Sequence, residues 1–377
     1  MIATARQLNR ATLARQLLLQ RQPTNVVDAV RRIVAVQAQE PASPYVALWN
    51  RISGFRPSDL DLAFANHAVV KATLMRITLH AVAADDHRAL HEAMQETLRA
   101  ARLHDRRFKS TGLSIAEADE LVPHVLAFAS EPRANADVEV WLADRLGVLP
   151  KPGVWWALRS FAPLIHAPTG GPWSFGRRPA YMAAPTPPAD PRQGGAMQHL
   201  VRRYLEGFGP ATAQDVAQFA LLRQPAVRGA LAAMDDELDR LEGPDGVTLY
   251  DLPGAPRPAE DTPAPARLMA MWDSVLLAYA DRSRVIPPEQ RQLVVRRNGD
   301  VLPTVLVDGY VSGVWRPTDA GIEITAFRPL PEEAWRDLAT EARGLLALLA
   351  DRDPGVYRRS GHWWSKLPPG EVQVLGT

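Results

Sequence analysis

The 377-residue sequence contains no cysteine. Disulfides, thiolate nucleophiles and cysteine-ligated zinc or iron–sulfur centres are therefore excluded. Lysine is scarce too: of 43 basic residues only Lys71, Lys109, Lys151 and Lys366 are lysines. The arginine excess, with abundant alanine and proline, fits GC-rich coding, and arginine's planar fork also suits phosphate. Formal net charge is only +1, so a polyanion-binding surface has to come from local clustering. Long apolar runs are missing. The stretch "GLLALLA" falls far short of the roughly 20 residues that span a bilayer. The opening "MIATARQLNRATLARQLLLQRQ" lacks the pattern of a signal peptide. The expectation is a soluble, cytoplasmic protein with no membrane partner.

Standard catalytic signatures are missing as well. "TGGPWSFG" and "RQGGAMQHL" have neither the spacing nor the lysine of a phosphate-binding loop, and no G-x-S-x-G elbow occurs. His87 and His91 share a helix face at i, i+4. Arg88 stands where a metalloprotease would need glutamate, so the pair reads as a surface face. No metal and no cofactor are expected.

What is present is a recurring order of short helices followed by two short strands, the winged-helix form of helix-turn-helix. The fold class expected is α+β: three tandem winged-helix units and a β-rich C-terminal domain. The first unit, residues 1–111, holds "ARQLLLQ", "VVDAVRRIVAVQ" and "SPYVALWNRI" as helices, with Ser43 as a cap. "VVKATLM" and "ITLHAVAA" follow as strands. The second, 112–192, ends in a wing with a Gly-Gly turn. The third, 193–260, has Thr212 as N-cap, Pro225 in a first turn and Pro-Asp-Gly between two strands. Proline-rich stretches at 184–195 and 252–267 separate the units. The last part, 261–377, carries a hairpin at Asp308-Gly309 with a type I′ signature and a long helix after Pro331, forming a small barrel or a curved sheet.

Basic residues cluster in "RAARLHDRRFK", where Arg99, Arg102, Arg106, Arg107 and Lys109 face one aspartate. "RRNG" and "YRRSGHWWSK" are smaller clusters, the last mixing base with aromatics in a way that suits nucleic acid. Each of these also reads as a solvated helix face or loop.

In "AVQAQEPASPYVALWNR", Gln37 and Gln39 flank Ala38 just before Pro41, which disfavours helix at Glu40. In an extended segment, residues i and i+2 point to one face, so two uncharged carboxamides would aim at one spot. The pair could equally cap a helix end or bond a wing. As chemistry, it would suit hydrolysis of an N-glycosidic bond to a purine alkylated at N7. Such a base already carries positive charge, and an amide oxygen can hold water and present negative dipole to an oxocarbenium-like sugar. Forgoing a carboxylate base costs about 10²–10⁴-fold, which a cationic leaving group tolerates.

The runs "LNRATLARQLLLQRQ", "VVDAVRRIVAVQAQEPASPYVALWNRI" and "LMRITLHAVAADDH" resemble the bacterial winged-helix DNA glycosylases of the AlkZ type. So do "MWDSVLLAYADRSRVI" and "RRNGDVLPTVLVDGYVSGVWR". Gln37-Ala38-Gln39 matches that family's Gln-x-Gln branch. The resemblance implies catalytic Gln37 and Gln39 and a C-shaped channel for duplex DNA. It implies a monofunctional glycosylase releasing N7-alkylguanine, unhooking interstrand cross-links and giving self-resistance to a DNA-alkylating antibiotic. The implied partner is double-stranded DNA carrying N7-alkylpurine or cross-link lesions, bound by a monomer. The basic cluster above, with Arg316, is the expected DNA contact, and the tip Asp308, Gly309 and Tyr310 is the expected groove probe. The alternative is a non-enzymatic winged-helix regulator, although no heptad announces the dimer that a regulator usually needs.

Overall fold

The computed structural model describes residues 3–147, 152–185 and 195–376. The expected boundary at 192/193 lies outside them. Helix α1 (Ala5–Arg15) begins with a capping box in which Thr4 and Gln7 satisfy each other's free N–H groups. Asn25 caps α2 (Val26–Ile33). A two-residue strand, β1 (Val36–Gln37), precedes α3 (Ser43–Trp49) and α4 (Pro57–Ala65). Ser43 is not the cap expected from sequence. It is the first helical residue, and its hydroxyl is 3.1 Å from that of Tyr357. β2 (Val69–Thr73) and β3 (Leu79–Ala83) pair as an antiparallel hairpin.

Helices α5 (Ala84–Leu103), α6 (Arg106–Lys109) and α7 (Ile115–Phe128) follow. Next come β4 (Arg133–Ala134), α8 (Asn135–Leu146), α9 (Pro152–Phe161), and the strand pair β5 (Leu164–Ala167) and β6 (Ala180–Ala183). In the third unit, α10 (Ala196–Phe208), α11 (Ala213–Ala220) and α12 (Gln224–Ala233) precede β7 (Asp239–Glu242) and β8 (Thr248–Asp251). Thr212 caps α11 through a capping box with Asp215, and Pro225 sits in the first turn of α12, both as expected. β9 (Arg267–Leu268), α13 (Arg291–Val294), β10 (Thr304–Val307), β11 (Tyr310–Thr318), β12 (Gly321–Ala326), α14 (Glu332–Ala350) and β13 (Glu371–Leu375) complete the chain.

The strands do not keep to the sequence units. The strand pairs β2–β3 and β5–β6 join into one six-stranded sheet of order β1-β3-β2-β5-β6-β4, through the pairing of Lys71 with His166. The C-terminal strands make an open sheet of order β13-β12-β11-β10-β9, not closed into a barrel. Cores cross the expected boundaries too. One joins Leu13, Ile33 and Phe64 to Met269, Trp315 and Leu345 of the C-terminal region. The other joins Val70 and Leu98 to Trp155, Tyr204 and Phe219.

Buried arginines staple these parts together. Arg15 makes a two-pronged bond to Asp251 at 2.7 and 2.9 Å, and Arg51 one to Asp273 at 2.8 Å on both oxygens. All four side chains are at most 1% exposed. A planar fork facing a carboxylate satisfies both charges without water. Asp273→Asn would leave Arg51 buried and uncompensated. The expected cost is roughly 3–5 kcal/mol in urea unfolding, whereas Arg56→Ala, breaking the exposed Arg56–Asp59 pair, should cost less than about 1 kcal/mol.

Candidate active site and nucleic-acid interface

The two glutamines do not point to one spot. Gln37 lies in β1 opposite His80 of β3, and both are buried, at 3% and 0% exposure. Register partners in an antiparallel pair share a face, so Gln37 belongs to the inner face. β1 ends there. After Ala38 the chain leaves the strand, and Gln39 emerges exposed. The Gln39 backbone N–H donates to Gln37 Oε1 at 2.6 Å, and the Leu79 N–H donates to Gln39 Oε1 at 3.4 Å. The i, i+2 expectation thus fails because extended geometry stops at Gln37. The outcome is a division of tasks: one amide fixes the backbone, and the other is presented to solvent.

Gln39 stands at a cavity of about 490 Å³ lying between the β2–β3 hairpin and the α9–β5–β6 region. Lys71, Arg102, Arg159 and Arg177 line it, with Trp156, Phe175, His166 and Tyr181 as aromatic wall, and among the described residues no carboxylate lines it. The cross-strand register assembles this wall. Lys71 of β2 pairs with His166 of β5, and His166 pairs with Tyr181 of β6. The His166 and Tyr181 rings are 4.5 Å apart, and Arg159 donates to the Tyr181 hydroxyl at 3.4 Å and to Asn135 Oδ1 at 3.1 Å.

Lys71 is 4% exposed, with its ammonium 4.4 Å from the centre of the Phe175 ring. Burial pushes it down to about 8, opposed by the carboxylate of Glu40. Burial, with the charges of Lys71 and Arg159, holds His166 neutral, its pKa well below the usual imidazole value. Glu40, next to Gln39, is engaged by Arg359 at 2.9 Å. Desolvation raises its pKa, with Arg359 and Lys71 opposing.

The nominated basic residues divide. Arg102 faces the cavity, stacked on Trp156 at 4.5 Å and bonded to Ser160 Oγ at 3.0 Å; burial lowers its pKa, and Arg159 adds to the effect. Arg106, Arg107 and Lys109 on α6 are exposed beside it, Arg107 also over Trp156 at 5.2 Å. Arg99 turns away to pair with Asp119. Arg316 is tied to Glu323 and stacks on Trp364 at 5.4 Å. The two small clusters meet: Arg296 and Lys366 both lie over Trp363, at 5.1 and 4.5 Å.

The hairpin tip is not a free probe. Asp308 and Gly309 take the positive φ values, 51° and 80°, that the turn signature requires. The tip docks on α1, however. Arg6 and Arg10 pair with Asp308, and Asn9 Nδ2 donates to the Gly309 carbonyl at 2.9 Å. Gly309 is buried and Tyr310 half-buried. A Cβ at Gly309 would come within 2.6 Å of Asn9 Oδ1 and Leu13 Cδ1, so the close approach itself needs glycine.

His87 and His91 are corrected as well. They are buried, at 2% and 5%, with rings stacked 5.6 Å apart and Gln95 bonded to the second. The i, i+4 face of α5 that carries them packs inward, with Leu90 and Met94, and not toward solvent. No group of three or more metal-ligating side chains occurs among the described residues.

Apart from Gln39, the cavity residues outside α5 carry no motif that singles them out in the sequence. One signal was available: Lys71 is a rare lysine inside a β-branched strand, where a charge needs a reason.

A family model described as DNA glycosylase AlkZ-like matches residues 30–348. An interstrand DNA cross-link repair glycosylase of Streptomyces sahachiroi is 26% identical over 352 residues, covering 87% of this chain and 91% of that protein. The solved structure of Streptomyces sahachiroi DNA glycosylase AlkZ superposes with a TM-score of 0.78 at 20% identity, covering 93% of this chain and 98% of that one. A likeness at that identity establishes a shared mixed α/β fold.

Burial sets an acid limit. His80 and His87 are pushed down to about 3 and His91 to about 4, chiefly by desolvation. In the unfolded chain they titrate near 6.5. Between those values the unfolded state binds more protons, so stability is full above about pH 6.5 and falls as pH drops. Each histidine contributes roughly 1.4 kcal/mol per pH unit. Urea midpoints measured from pH 7 to 4.5 should fall accordingly, and His87→Gln should show a shallower slope than the wild type.

Proposed function

This chain belongs to the AlkZ-like family of DNA glycosylases, enzymes acting on N-glycosyl bonds, and from that premise we propose that it releases N7-alkylguanine from double-stranded DNA. Guanines tied into interstrand cross-links are included, since the similar Streptomyces sahachiroi protein is named for that repair. It acts as a monofunctional hydrolase and a monomer, without metal or cofactor. Winged-helix units and the C-terminal sheet enclose the duplex in a C-shaped channel. Its biological place is self-protection against a DNA-alkylating antibiotic, which the arginine-, alanine- and proline-rich composition of this chain suits.

One observation carries this reading: an exposed, uncharged amide, Gln39, stands at the edge of a cationic cavity, with its backbone fixed by the oxygen of buried Gln37. Gln39 Oε1 holds water beneath C1′ and offers negative dipole to the oxocarbenium-like sugar as the bond breaks. The cationic base departs without needing protonation. Gln37 acts through Gln39 and is a positioning residue. Glu40 serves no base role, because Arg359 engages it. The missing carboxylate confines the enzyme to leaving groups that alkylation has already activated. A cross-linked guanine cannot be swung into a closed pocket, since the other strand holds it, and an amide at an open cavity mouth can reach it in place.

Single-turnover release of 7-methylguanine should fall about 10²–10³-fold in Gln39→Ala, a loss of the size seen when one transition-state contact is removed. Gln37→Ala should fall less, with Gln37→Glu recovering part of the rate because it keeps an acceptor oxygen. Wild-type rates in both alanine variants would end the assignment.

A further inference from the structure

We propose that the cavity beside Gln39 seats a backbone phosphate of the damaged strand, with Lys71 and Arg159 as inner ligands and Arg102 and Arg177 around them, and does not receive an extruded base. The inference rests on the glycosylase reading and specifies which part of the DNA enters.

Charge decides between the two occupants. Four cations line the cavity and, among the described residues, no carboxylate does. Elsewhere the buried guanidinium groups of Arg15 and Arg51 each meet an aspartate at full hydrogen-bonding distance. Here the partners are neutral: Arg102 has Ser160 Oγ, and Arg159 has Asn135 Oδ1 and the Tyr181 hydroxyl. Lys71 has only the face of Phe175, with no hydrogen bond or ion pair among the described residues. Glu40, the carboxylate acting on Lys71, is engaged by Arg359. A nearly buried ammonium without an acceptor is costly unless a ligand completes it.

An N7-alkylguanine is itself a cation, and the sugar it leaves becomes one. Four fixed positive charges around such a base would oppose its binding. A phosphodiester reverses the sign. It supplies the absent acceptor oxygens to the Arg159 fork and the Lys71 ammonium, with Arg102 and Arg177 adding charge around them. Seated there, it fixes the register of the strand, and with it the sugar adjoining Gln39. The phosphate also screens the cations from the sugar, where positive charge develops as the base leaves neutral.

The test uses duplexes containing one 7-methylguanine and, in turn, a single uncharged methylphosphonate at each linkage flanking it. Binding and single-turnover release are measured for the full chain and for Lys71→Met, Lys71→Arg and Arg159→Met. One linkage should stand out. Its neutralisation should weaken wild-type binding about tenfold but have little further effect in Lys71→Met. Lys71→Arg should behave as the wild type, and the log–log salt slope of Lys71→Met should be lower by about one. Additive losses at every linkage, in both Lys71→Met and Arg159→Met, would overturn the proposal. So would tighter binding by Lys71→Met to duplexes whose damaged base is cationic, with no linkage preferred. If Lys71→Met fails to fold, as judged by its melting curve, Arg159→Met alone carries the coupling measurement. A chain that releases no base from any duplex would defeat the glycosylase reading while leaving the phosphate coupling readable from binding.

Discussion

The pairing of Lys71 with His166 is the contact on which the site depends. It is a single register point between two strand pairs some ninety residues apart in sequence, and it makes one sheet out of two hairpins. Without it, the β1–β3–β2 edge carrying Gln39 and the α9–β5–β6 wall carrying Arg159 and Tyr181 would belong to separate bodies. Through it, charge, aromatic surface and amide come to share one concavity. Cross-strand neighbours set such a wall side by side at fixed spacing, so the arrangement is rigid where a loop-built site would not be.

The amide pair shows how function can rest on what a residue withholds. Gln37 contributes no exposed group. Its oxygen takes the backbone N–H of Gln39, and that bond spends an otherwise unsatisfied donor just where the strand ends. The neighbouring acid is likewise taken, by an arginine from the C-terminal segment. The exposed face is thereby left neutral amide and cation, a combination suited to a backbone rather than to a base.

Much of this was legible in the residues, and the reasons for the misses are specific. Thr212, Pro225, Asp308-Gly309 and the helix after Pro331 were readable because caps and turns are local chemistry, settled within a few positions. Strands β2 and β3 are legible as pattern, but their joining to β5 is not, since one edge pairing is decided by tertiary context. The projection of Gln37 and Gln39 was misjudged because it turns on where a two-residue strand stops. His87 and His91 were misplaced because a helix face does not announce which side meets the core. The arginines were the largest blind spot. A composition reading treats them as solvated, whereas Arg10, Arg15 and Arg51 are almost fully buried beside aspartates hundreds of positions away.

Those distant partners have a consequence for biosynthesis. Helix α1 leaves the ribosome early, yet Arg6 awaits an aspartate 302 positions later. At ~5–20 residues per second, translation takes roughly 15–60 s to reach it. Until then the face of α1 that holds the hairpin tip has nothing to hold, so this closure of the fold comes only after most of the chain has been made.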